Sequence, residues 1–143
     1  MNITTNTGIL LPAAILICWT LLMLVWLAIT RLRTMNKLKM HPQKYPRTQD
    51  LGAALPAEVQ WKADNYNHLM EQPTIFYATV FLLVLIGEGS GSNVILAWAY
   101  VGLRIAHSLV QATINKVMIR FTLFVLSSII LTMMAVNCLL ALL

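Results

Sequence analysis

Arg104, His107 and Gln111 recur at spacings of three and four through an otherwise apolar stretch, "AWAYVGLRIAHSLVQATIN", residues 97–115. With Ser108 and Asn115 they form a polar stripe along one helical face. A second stripe precedes it: Asp64, Asn67, His68 and Glu71 fall at i, i+3, i+4 and i+7. Cations, amides and imidazoles gathered around one carboxylate suit an anionic, amide-bearing small molecule, with apolar walls for a lipophilic partner. An arginine beside a thiol-bearing ligand would favour its thiolate. The chain offers no Ser/His/Asp set, no carboxylate pair spaced for hydrolysis, no HExxH and no phosphate loop. Cys18 and Cys138 belong to no CxxC or Cys/His cluster, which leaves a metal site or disulfide framework without support. Both are expected to be buried, inert thiols.

The elements that carry these stripes belong in lipid. The chain has 143 residues, 59% hydrophobic and only 10% charged, with a mean hydropathy of +0.74. A soluble domain of this size carries about a quarter charged residues. Spanning a bilayer takes roughly 20 mostly apolar residues. Residues 9–30 and 121–143 are uncharged over that length, and residues 92–114 are long enough but contain Arg104 and His107. The apolar run at 74–87 is too short alone and must draw on residues back to about 67, which brings His68 and Glu71 inside the helix. The expected fold is a single all-α membrane domain over 1–143, a bundle of four transmembrane helices at about 9–30, 60–87, 92–115 and 120–143. Residues 31–59 form its one long loop, where Pro42, Pro46, Gly52 and Pro56 argue against helix. Pro73 is expected to kink the second span without ending it, and "NKVMI", residues 115–119, to extend the third.

The net charge of +5 invites comparison with nucleic-acid binders, but its placement points to topology. Seven of ten basic residues, from Arg31 to Lys62, lie between the apolar runs 9–30 and 74–87, Lys116 and Arg120 lie between the runs 92–114 and 121–143, and "GEGSGS" and the leader "MNITTNTG" have none. The positive-inside rule then makes the basic side cytoplasmic and puts both termini on the other side. No nucleic-acid partner is expected. Anionic headgroups are a fitting partner for the 31–47 cluster. The leader lacks the basic residues of a secretory signal, so the first helix is read as an uncleaved span.

Depth brings the stripes together. If both helices leave the membrane near residues 67 and 115, Glu71 lies roughly 6 Å inside, His107 about 12 Å and Arg104 about 16 Å, at ~1.5 Å per residue. Arg104 and Glu71 can then meet, directly or through a ligand. Ionisable groups within a membrane are functional candidates by default, whereas Ser108 and Asn115 suit helix-to-helix hydrogen bonding. Arg120, read alone, is an interfacial anchor.

These residues are also what the chain shares with a known family. Residues 64–77, "DNYNHLMEQPTIFY", fit the pattern D-N-aromatic-x-N-L-x-E-x-P-x-x-F-Y with His68 in place of the second asparagine. "AWAYVGLRIAHS" and "NKVMIRF", residues 97–108 and 115–121, supply the later motifs. Together they resemble a bacterial branch of the membrane-associated proteins in eicosanoid and glutathione metabolism, abbreviated MAPEG. The resemblance implies a homotrimer and a glutathione site between subunits near the cytoplasmic side. It implies a multi-pass protein of a bacterial inner membrane that joins glutathione to lipophilic electrophiles or reduces lipid peroxides with it. Arg120 matches the arginine that stabilises the glutathione thiolate. Glu71, Arg104 and His107 match ligand contacts, with Gln111, His68, Asn67 and Asp64 as further cosubstrate-binding candidates. Aligned on Glu71, Asp64 stands where better-known members carry arginine, His68 where they carry asparagine, and Gln111 where they carry tyrosine. The alternative is a non-enzymatic lipid-binding activator of the same fold.

Overall fold

The computed structural model describes residues 8–143, and over them it is helical without strands. Four helices are long and apolar enough to cross a bilayer: α1 (Leu10–Lys37), α3 (Ala57–Leu85), α4 (Ser92–Ala112) and α5 (Val117–Leu142). A 3-10 turn (Pro42–Lys44) and a short helix α2 (Thr48–Ala54) lie between α1 and α3. The leader at residues 1–7, with its Asn2-Ile3-Thr4 sequence, lies outside the described residues.

Helix α4 is the centre of the bundle. It packs most extensively on α5 and also touches α3 and α1, while α1 lies against α3 and α5 reaches α3. Its polar stripe turns inward: Arg104, His107, Ser108 and Gln111 are all buried, as are Ala97, Tyr100 and Val101. That orientation is what lipid demands of a helix with one polar face. The shared core continues through Leu16 and Met23 of α1, Phe76 and Val80 of α3, and Leu131 and Met134 of α5. Leu21, Phe81, Ile95 and Leu139 are exposed, as hydrocarbon-facing residues should be.

Several boundaries differ from expectation for identifiable reasons. Helix α1 does not stop near residue 30 but continues to Lys37. Its 28 residues extend about 42 Å, against ~30 Å of hydrocarbon, so the basic end projects beyond the membrane. After Pro12 in its first turn no proline or glycine interrupts it, and Lys37 suits the negative end of the helix dipole. Helix α2 occupies part of the loop that the prolines seemed to keep irregular. Between Pro46 and Pro56 only Gly52 opposes a short helix, and a small cluster of Met35, Leu55 and Val59, with Leu51 and Met40 beside it, stabilises one. At Gly52 the helix comes close to the Gln60 side chain, whose Oε1 would lie 2.8 Å from an added Cβ.

Helix α3 begins at Ala57, just after Pro56 and a few residues before the expected start, and passes through Pro73 unbroken. It ends at Leu85, and Gly87 just beyond, with a φ of +83°, permits the closing bonds Glu88 N–H to Leu83 O (2.8 Å) and Gly87 N–H to Val84 O (3.1 Å). "NKVMI" does not extend α4. Asn115 adopts a left-handed conformation (φ +48°) and donates to Val110 O at 2.7 Å, closing the turn. Val117 then starts α5. Asparagine tolerates that conformation better than most side chains. The tight turn carries Arg120 back over the end of α4. Both thiols are free; Cys138 is buried as expected, but Cys18 faces outward from α1.

Candidate functional site

The α3 and α4 stripes meet at a histidine pair. His68 and His107 stack with ring centroids 4.6 Å apart and planes 13° from parallel. Phe124 of α5 sets its ring edge-on to His68 at 5.5 Å. Around them opens a cleft of about 280 Å³ between α3, α4 and α5, lined by His68, His107, Gln111, Arg120, Phe121 and Phe124, with Val117 at its edge. Its level is set by the end of α4 and the start of α5, the region flanked by basic loops.

Arg104 lies behind this cleft, with none of its surface exposed. Its Nη2 makes two contacts with one residue, 2.8 Å to His68 Nδ1 and 3.1 Å to the His68 carbonyl. Pro73 lacks the N–H that would bond the carbonyl of Leu69, so the contacted carbonyl borders a loosened turn. Among the described residues Arg104 Nε and Nη1 have no partner, nor do Gln111 Oε1 and Arg120 Nε, although all are shielded. Buried polar atoms are ordinarily bonded. These four are half of the eight such atoms among the described residues; the others belong to Arg31, Asn65 and Asn115.

The α3 stripe divides. At ~100° per residue Asn67 and Glu71 lie about 100° and 60° to one side of His68. Asn67, Glu71 and Asp64 are exposed, outside the cleft. Asp64 accepts a hydrogen bond from Gln60 Nε2 at 2.9 Å. The direct Arg104–Glu71 contact that depth allowed is not formed; Arg104 turns to His68 instead.

The MAPEG family model matches residues 9–140. The chain belongs to the MAPEG family. Neither a curated protein nor a solved structure gives a match to it. MAPEG membership and the four apolar helices make it a multi-pass membrane protein of the glutathione and eicosanoid metabolism family.

Within this MAPEG chain, other polar groups hold helices together. Trp19 Nε1–H donates to Ser108 Oγ at 3.0 Å, joining α1 to α4 as expected of an intramembrane serine. Ser108→Ala should lower stability by about 0.6 kcal/mol, up to ~1.7, in reversible detergent unfolding, and leave ligand binding unchanged. At the far end Asn137 Nδ2 donates to Asn93 Oδ1 at 2.9 Å.

Sequence reasoning missed Phe124 and the α3–α5 link. Gln72 Nε2 donates to Ser128 Oγ at 2.7 Å, and Tyr100 Oη donates to Gln72 Oε1 at 3.3 Å. Each was signalled by helical spacing, since Gln72 lies one turn beyond His68 and Phe124 one turn beyond Arg120.

Proposed function

We propose that the protein is an integral membrane glutathione-dependent transferase or peroxidase acting on lipophilic electrophiles or lipid peroxides. The observation that carries this reading is the cleft where Arg120, His68, His107 and Gln111 converge, with Arg120 Nε and Gln111 Oε1 shielded at its walls and without a partner among the described residues. A fixed guanidinium favours the thiolate over the thiol of a bound ligand. Glutathione suits this donor set: Arg120 would face its sulfur, and Gln111 Oε1 would accept from its amide N–H. Bound there, glutathione supplies a nucleophilic and reducing sulfur.

At about 280 Å³ the cleft is at the small end for a ligand site. It suits the reactive part of a tripeptide, with the charged remainder extending toward exposed Asn67, Glu71 and Asp64. A carboxylate and an amide on an outward surface within a membrane call for protein beside them. That supports a homotrimer with a site completed between subunits.

The electrophile has its own approach. A furrow of about 370 Å³ runs between α3 and α5, lined by Ile75, Leu131, Ala135, Val136 and Leu139 with Gln72 and Ser128 at its polar end. Because Gln72 and Ser128 are each one turn beyond a cleft residue, a lipid-borne substrate entering the furrow would arrive next to Phe124. A second reading, a non-catalytic lipid-binding protein, draws on another apolar furrow of about 470 Å³ that includes Leu10, Ile17, Tyr77 and Phe81.

Titrating glutathione into the detergent-solubilised full chain, while following ultraviolet thiolate absorbance, separates the two. The enzyme reading expects a saturable thiolate signal. Lipid binding with no such signal would replace it with the second.

A further inference from the structure

His68 is the residue by which this chain departs from the motif it otherwise fits, and the structure fixes its proton. An arginine side chain has only donors. Arg104 Nη2 at 2.8 Å from His68 Nδ1 therefore requires a lone pair on Nδ1, which places the proton of the neutral ring on Nε2. The second Arg104 bond, to the backbone carbonyl of the same residue, holds the guanidinium in that register. The His107 face and the Phe124 edge restrain the ring plane. His68 lines the cleft, and among the described residues its Nε2 has no hydrogen-bond partner.

We propose that Arg104 is a positioning residue that locks His68 as the Nε2–H tautomer, and that this N–H is a second donor, beside Arg120, to the sulfur anion held in the cleft. This rests on the glutathione reading for the identity of the anion. The tautomer itself rests on the Arg104 geometry alone. The arrangement assigns the buried arginine a task other than touching ligand: its charge stays behind the imidazole, and the histidine presents a directional donor at the surface.

The chain contains three histidines, which makes the test direct. Full-length protein with nitrogen-15 in its histidines is examined in detergent by long-range nitrogen–proton NMR, His68→Gln assigning the signals. A single Nε2–H tautomer is expected at His68, and glutathione should move that ring's signals. Protonation at Nδ1 would overturn the lock. In parallel, His68→Phe, which keeps an aromatic ring but no donor, should reduce the thiolate fraction at neutral pH about tenfold, as befits a lost hydrogen bond to a charged acceptor. His68→Gln, which retains an N–H of similar reach, should restore most of it. No thiolate signal in the wild-type protein overturns the glutathione reading itself. A wild-type signal that His68→Phe leaves intact overturns only the role of His68.

Discussion

Arg120→Ala is expected to abolish most of the glutathione thiolate signal and to lower turnover about 10²–10³-fold, the effect typical of losing one preorganised charge-stabilising donor. Arg120 sits in the first turns of α5 and lines the cleft, its Nε shielded and without a partner among the described residues, so its charge meets little competition from protein acceptors there. Arg120→Lys keeps the charge but loses the fork of donors and should recover only part of the signal. Arg47→Ala, which removes an exposed cation from the long loop, should change neither quantity. That control separates a local effect from the general basicity of the loops. Unchanged conjugation in Arg120→Ala would remove this mechanism.

The four spans were legible because length and apolar content are nearly sufficient to specify a membrane helix. What lies beyond the bilayer was not. The seven residues by which α1 overshoots, and all of α2, depend on Met35 meeting Leu55 and Val59, a contact between segments that no local pattern reveals. The inward turn of the α4 stripe, though not the outward one of Asp64, Asn67 and Glu71, was legible for a related reason. Polar faces in hydrocarbon must turn inward, and antiparallel helices of known exit points have calculable depths. The destination of Arg104 was not. His68 and Glu71 are three residues apart on one stripe, and spacing cannot say which lies at its inner edge. Only the rotation of α3 decides that, and it is set by Leu69, Phe76 and Val80 packing on the core. The break after α4 hinged on a single backbone conformation at Asn115, where composition alone favoured continued helix.

Phe76→Ala should give the largest loss of stability among single substitutions away from the cleft. Phe76 has no exposed surface and stacks on Tyr100 at 4.4 Å, with planes 20° apart. Tyr100 in turn bonds Gln72, which bonds Ser128, so one ring supports the contacts joining α3, α4 and α5. In a water-soluble core such a truncation costs about 3–5 kcal/mol. Within lipid the unfolded helices remain in hydrocarbon, so the transfer part largely falls away and lost packing remains. The expected cost is therefore about 2 kcal/mol, read from reversible unfolding in mixed micelles. Phe76→Leu should recover at least half of it, because most of the lost contact is shape rather than aromaticity. Phe76 lies two turns beyond His68 on the same helix, so its loss should also loosen the histidine stack. A fall in stability with a fully preserved thiolate signal would show that the cleft is held by its own contacts, independently of the mid-membrane core.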